Sequence, residues 1–247
     1  MPDAIAWEFW NVRGERAEVD HSAWQAFLDD YLVEGADGIN RVRYRAVDPA
    51  ARSRLTGYIQ AMAGTDPRTL TRAAQMAYWI NLYNALTVNV VLDYPRKRSI
   101  LRMGRKLLTF GPWDDVVATI AGQQVTLNDI EHRILRPLFR DPRVHFAVNC
   151  ASLGCPNLAA RVYTAANLEA QLDAQEAAYL AHPRGLRQTD SGWVLSGIFE
   201  WYRADFAADE AGLRAWLAAR RPQLAGQLRD SRRPLSYDYD WQLNGAD

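Results

Sequence analysis

Apolar positions recur along this chain with two periods, and the switches between them predict where helices and strands fall. From Ser22 to about Val33, Trp24, Phe27, Leu28, Tyr31 and Leu32 share one side of a helix with Ser22 as its cap. Between Arg41 and Val47 the pattern turns to alternation, with Val42, Tyr44 and Ala46 set against arginines, so a short strand is expected. Asp48-Pro49 then opens a helix, because Asp caps and Pro tolerates the first helical position. That helix runs to about Ala63 and stops at Gly64. The stretch from about Leu70 to Leu92 is apolar nearly all round, as a central buried helix would be, and Tyr94-Pro95 closes it.

In the second half, Val116 to Ile120 and Gln124 to Thr126 read as a hairpin turning at Ala121-Gly122. Thr126 with Asp129 three residues on resembles a capping box, and the helix it starts should end near Leu135, before Pro137. Arg143 to Asn149 alternates Val144, Phe146 and Val148 along one face, which predicts a buried strand. Thr164 to Leu180 is an amphipathic helix ending near His182-Pro183. Leu186 to Phe199 is a hairpin around Asp190-Ser191-Gly192, followed by two short helices and a strand-like Tyr237–Trp241. Helices dominate and the strands are few, so the expected class is α+β: a helix-rich single domain with a small, mostly antiparallel sheet. Residues 1–20 read as a mobile N-terminal arm and residues 21–247 as the domain, since no repeat or Pro/Gly-rich linker divides them.

Composition narrows the function classes. Apolar residues make up 49% of 247, enough for a sizeable core. Lys and Arg number 29 against 29 Asp and Glu, which lacks the basic excess that nucleic-acid binding requires. The small cluster Arg102, Arg105 and Lys106, and the pairs Arg220-Arg221 and Arg232-Arg233, read as solvated faces. No apolar run is long enough for a transmembrane segment, and Met1-Pro2-Asp3-Ala4 lacks the start of a signal peptide. A cytosolic protein or an exported one with its signal removed both fit that start. No cofactor is expected.

The candidate chemistry gathers between Glu131 and Cys155. On the helix after Leu127, Glu131 falls within the apolar stripe, and His132 falls about 60° beyond its edge. A core-facing carboxylate needs a partner or its pKa must rise. Downstream, His145 precedes Asn149, Cys150, Ser152, Gly154 and Cys155 in a polar, small-residue turn. Backbone N–H groups of such a turn would stabilise a thiolate or an oxyanion. Strand parity sets His145 and Cys150 on opposite faces, so His132 and His145 are equal candidates for the base, with Glu131 to orient either ring. Asn81 and Asn84 sit at i and i+3 on the apolar helix, where buried amides must bond loop backbone or orient a site. His21 and His182, near helix ends, read as surface residues. Two other uses of the cysteines stay open: a local Cys150–Cys155 disulfide, or a metal site adding His132 and His145.

Four stretches in order resemble the DUF547 family: AYWINLYNA at 77–85, LNDIEHRIL at 127–135, RVHFAVNCAS at 143–152 followed by Cys155-Pro156, and FEWYRADF at 199–206. YDWQLN at 239–244 is similar to the family's C-terminal end, so the resemblance spans about residues 38–244. It implies a domain of unknown function whose bacterial members are generally envelope-associated or exported, which favours a periplasmic setting. The matching positions here are Asn81, Asn84, Glu131, His132, His145, Cys150 and Ser152. The residues themselves suggest a thiol-dependent hydrolase or acyl transferase acting on an amide or ester in a peptide or envelope polymer. Cys150 would attack, and His132 or His145 would take the proton. The order of acid, His and Cys differs from the Cys-then-His order of papain-like enzymes. The rivals are a non-enzymatic binding module with the disulfide formed, and a metal-binding protein.

Overall fold

Three Asp-Pro dipeptides punctuate the chain, and each starts a helical turn. Asp48 accepts a hydrogen bond from the Ala51 N–H at 2.8 Å and opens α2 (Pro49–Ala63), behind α1 (Ser22–Tyr31). Asp66 does the same for a single turn before α3 (Arg72–Asp93), which Thr71 caps. The third, Asp141-Pro142, matters most for the site. A computed structural model describes residues 5–104, 111–230 and 232–246; Arg105 and Lys106 of the basic cluster lie outside the described residues.

α3 is the axis of the larger core. Seventeen of its residues are buried; α2 packs against it, and α1 packs on α2, where Trp24 stacks with Tyr58 at 6.3 Å. In α1, Asp20 rather than Ser22 supplies the terminal acceptor: its Oδ1 takes the Ser22 N–H at 2.9 Å. The alternating segment after it is shorter than expected. β1 (Leu32–Glu34) pairs antiparallel with β2 (Asn40–Val42), and Tyr44–Ala46 winds into a helical turn. The hairpin β3 (Val116–Ile120) and β4 (Gln123–Thr126) turns where expected. Its turn needs positive φ at two residues, and Ala121 takes 45° and Gly122 79°. The capping box follows, with Thr126 Oγ1 accepting the Asp129 N–H and Asp129 Oδ2 accepting the Thr126 N–H, both at 3.0 Å.

The helix after it, α4 (Asp129–Phe139), does not end before Pro137. It takes the wider π winding and continues through the proline. Pro137 has no N–H to give the Arg133 carbonyl, and in an α-helix its ring would clash with that carbonyl. On the outside of this helix the Arg133 carbonyl accepts the Trp7 N–H at 2.9 Å. The N-terminal segment is thereby tied to α4, Trp10 is 2% exposed against Trp79, and Gly14 and Arg16 bond the backbone around Leu70.

Residues 143–149 do not form a strand. They form α5 (Val144–Ala147), one short turn. Asp141 Oδ1 accepts the Arg143 N–H at 2.9 Å, and the Val144 N–H bonds the Asp141 carbonyl. The Asp-Pro start thus prevails over the alternation of Val and Phe. After α6 (Leu168–Ala181), the strands β5 (Leu186–Gln188), β6 (Trp193–Ser196) and β7 (Leu235–Asp238) form one sheet. β5–β6 is antiparallel and β6–β7 parallel, so among the described residues one pair departs from the antiparallel pattern. Four short helices lie between β6 and β7: α7 (Ile198–Trp201), α8 (Arg203–Phe206), α9 (Glu210–Arg220) and α10 (Ala225–Arg229). They enclose a second apolar core around Phe199, Phe206 and Trp193. The fold is α+β, with helix predominating. α5 joins the cores: Val144 and Ala147 belong to the first and Phe146 to the second. No helix of the described residues is long and apolar enough to cross a membrane.

Candidate active site

The polar groups of α3 locate the turn that follows α5. Asn84 Nδ2 donates to the Ala147 carbonyl at 3.0 Å, and its Oδ1 accepts the Asn149 N–H at 2.8 Å. One buried amide therefore ends α5 and fixes the chain just before Cys150. Asn81, one turn away, holds the Tyr163 backbone in the same two-bonded way. Asn149 continues the lacing: its Oδ1 accepts the Ala151 N–H at 2.9 Å and its Nδ2 donates to the Pro156 carbonyl at 2.7 Å. This holds Ala151 at φ 58°, a left-handed conformation that costs an alanine about 1–2 kcal/mol. Outside it runs the C-terminal segment, which accepts the Leu153 and Gly154 N–H groups on Gln242 and Asp240. That approach requires Gly154, because an added Cβ would stand 2.7 Å from the Asp240 nitrogen.

The consequence for Cys150 is specific. The N–H groups of residues 149, 150, 151, 153, 154 and 155 all have partners within this lacing, so the turn does not offer the bank of free backbone donors its composition suggested. Hydroxyls meet the sulfur instead. Cys150 Sγ lies 3.1 Å from Tyr239 Oη and 3.2 Å from Ser152 Oγ, which are themselves 3.0 Å apart. The neighbouring Cys155 thiol and the Ser152 and Tyr239 hydroxyls lower the Cys150 pKa, against the opposing effect of burial. Cys155 is 4% exposed and free of any disulfide; burial pushes its thiol well above the ordinary range.

The imidazoles stand on the other side of the same cavity, a hollow of about 280 Å³ lined by Glu131, His132, His145 and Cys150 among others. His145 Nε2 bonds Asp205 Oδ2 at 2.7 Å, and its ring stacks on Tyr202 at 4.3 Å. Asp205 is also gripped by Arg136, through Nε at 2.6 Å and Nη2 at 3.2 Å. Burial opposes ionisation of Asp205, but the bonds from His145 and Arg136 outweigh it and hold its pKa at about 2. An ionised carboxylate only accepts, so His145 carries a proton on Nε2, and the neutral ring has its lone pair on Nδ1. His132 is the reverse case. Arg136 Nη1, which only donates, lies 3.1 Å from His132 Nδ1, so the neutral ring carries its proton on Nε2. Burial lowers the pKa of His132, and Arg136 adds to it against the pull of Glu131. Glu131, 7% exposed, accepts from Tyr83 Oη at 3.0 Å and approaches His132 Nδ1 only to 4.0 Å. Both Glu131 and His132 are buried, because the π winding turns His132 inward from the flank that an α-helix would give it.

Residues 67–180 match the family model described as "Protein of unknown function, DUF547". Over those residues the chain is similar to DUF547. No curated protein and no solved structure matched it. The matched segment is narrower than the 38–244 of the motif resemblance, and it holds all eight candidate residues: Asn81, Asn84, Glu131, His132, His145, Asn149, Cys150 and Ser152.

Within the segment that matches DUF547, Glu131, His132, His145 and Cys150 line one cavity, while Asn84, Asn149 and Ser152 hold its thiol turn from behind and Asn81 secures a neighbouring loop. The sulfur hydrogen-bonds neither imidazole. Among the described residues, no group of three or more His, Cys, Asp and Glu is arranged to hold a metal ion. Sequence reasoning passed over Asp205, Arg136, Tyr202 and Tyr239. Arg136 was within reach, one turn beyond His132 on the same helix; Tyr239 comes to Cys150 from 89 positions away and gave no local signal. His21 was misplaced: it is 4% exposed and its Nδ1 shares a hydrogen bond with the Tyr58 hydroxyl at 2.7 Å.

Proposed function

We propose that this domain is a thiol-dependent acyl-transfer enzyme, a hydrolase or transferase acting on an amide or ester, with Cys150 as nucleophile. The observation that carries the reading is the Cys150 sulfur itself: half-buried in a cavity wall, activated by hydroxyl donors, and facing a cavity that also presents an Asp-oriented imidazole. A thiolate needs stabilisation more than deprotonation by a contacting base, and the Ser152 and Tyr239 hydroxyls are within reach to supply it.

The sulfur attacks the carbonyl carbon, and the carbonyl π electrons move to oxygen. His132 Nε2–H, fixed as a donor by Arg136, is the group placed to stabilise that oxyanion. His145 takes the thiol proton on Nδ1 in the substrate complex and passes it to the departing amine or alcohol as the C–N or C–O bond breaks. In deacylation it removes a proton from the incoming water or acceptor, and the thioester bond breaks to return Cys150. Asp205 keeps the ring oriented and balances its charge. The remaining wall is aromatic: Trp113, Trp201 and Trp241 line it, with Trp201 and Trp241 stacked at 5.4 Å. That wall suits an acyl portion with an apolar or ring-faced surface, such as a hydrophobic peptide side chain or a sugar-bearing envelope fragment.

The test is a panel of activated esters of graded acyl size, read by intact mass. The reading expects an acyl adduct on Cys150 that neutral hydroxylamine releases and that Cys150→Ala abolishes. Failure of every ester to acylate Cys150 would overturn it, as would an adduct on another residue.

A further inference from the structure

Cys150 and Cys155 form an asymmetric pair. Cys150 is the more exposed of the two, whereas the buried Cys155 sulfur lies 3.0 Å from the Cys150 nitrogen, accepting its N–H, and directs its thiol at the Val148 carbonyl. The turn between them is closed by the Cys155 N–H on the Ser152 carbonyl at 3.2 Å. Both cysteines border the cavity, but Cys155 is almost fully buried at 4% exposure, so a bulky molecule meets the more open Cys150 first.

We infer that Cys150 is a peroxide-oxidisable residue and that Cys155 is its resolving thiol, so that a hydroperoxide closes the pair into a reversible disulfide. The inference concerns the sulfur assigned as nucleophile above, but it requires only that a small oxidant reach it, not that it be acylated. In the first step the Cys150 thiolate attacks one peroxide oxygen. The O–O bond breaks, and the other oxygen leaves as water or an alcohol after taking a proton, giving Cys150 sulfenic acid. In the second, Cys155 loses its proton and its sulfur attacks the sulfenic sulfur. The S–O bond breaks, water leaves and the S–S bond forms. The dithiol loses two electrons and the peroxide gains them.

Two features favour closure over further oxidation. Cys155 is already against the Cys150 backbone, so the step asks for rotation of the Cys150 side chain rather than refolding of the turn. The hydroxyls that the sulfur leaves behind, Ser152 and Tyr239, stand 3.0 Å apart, so one can turn its hydrogen to the other once the sulfur has gone. The chemical sense of the arrangement is protection. A nucleophile stored as a disulfide is recovered by thiols, whereas a sulfinic acid is lost.

Intact protein would be treated with equimolar hydrogen peroxide, denatured, alkylated with iodoacetamide and analysed by peptide mass. The expected product lacks the two thiol hydrogens, resists alkylation at both cysteines, and regains both thiols with dithiothreitol. In Cys155→Ser, checked for folding by circular dichroism, Cys150 should instead accumulate as a dimedone-trapped sulfenic acid or a sulfinic acid. Wild-type protein in which Cys150 gains oxygens while Cys155 stays alkylatable would overturn the inference, and so would a Cys150 that peroxide leaves unchanged. Neither result depends on whether esters acylate the sulfur.

Discussion

The two walls of the cavity solve the same problem with different chemistry. On the thiol wall, Cys150 is held by neutral donors, the hydroxyls of Ser152 and Tyr239. On the imidazole wall, His145 and His132 are held by ions, Asp205 and Arg136. Neutral hydroxyls can favour a thiolate without fixing a positive charge beside it, so the sulfur stays poised without an imidazolium partner. A carboxylate–guanidinium pair instead fixes which nitrogen of each ring carries hydrogen, and it does so oppositely for the two rings. The difference teaches that activation and proton transfer are separate tasks here, assigned to separate elements: the C-terminal segment serves the sulfur, and α4 with α8 serves the rings.

Removing the ionic partner should break the comparison most severely. Asp205→Ala leaves the buried Arg136 and His145 without their carboxylate, and we expect a loss of about 3–5 kcal/mol in urea unfolding. A third imidazole sharpens the contrast. His21 has a hydroxyl partner, like the sulfur, and burial lowers its pKa to about 4. Its unfolded value is about 6.5, so between those values the unfolded chain binds more protons and stability rises with pH. Lowering the pH through that window should cost about 3 kcal/mol, and His21→Asn should flatten that part of the stability curve. Asp205, held at about 2, acts only below it, as pH falls from its unfolded value near 3.8. Asn84→Ala should cost about 2–3 kcal/mol, because it orphans the Ala147 carbonyl and the Asn149 N–H, and should loosen the thiol wall while sparing the ionic one. Thermal unfolding together with Cys150 alkylation rates would show both effects.

The parts of this molecule that sequence made legible are those decided within a few residues. The Asp48 cap, the Thr126–Asp129 box and the Ala121-Gly122 turn all lie where local chemistry puts them. The error at Arg143–Asn149 was a contest between two local signals, alternation and an Asp-Pro start, and the side-chain bond of Asp141 decided it. Pro137 misled for a different reason, since the wider π winding carries the helix through it. The cavity was half legible. Glu131, His132, His145 and Cys150 cluster in sequence and do line one space. Which groups touch which was not legible, because Asp205 and Tyr239 arrive from 60 and 89 positions away.

The separation of the two walls is tested most directly by the pH dependence of Cys150 alkylation in wild-type protein, Tyr239→Phe and His145→Ala. A hydrogen bond to a charged group is worth about 1.5–3 kcal/mol, so Tyr239→Phe should raise the thiol midpoint by about 1–2 pH units. His145→Ala should leave that midpoint where it is while reducing ester turnover. A midpoint that moves on loss of His145 and stays fixed on loss of Tyr239 would contradict the account, and would make the imidazole, not the hydroxyls, the group that activates the sulfur.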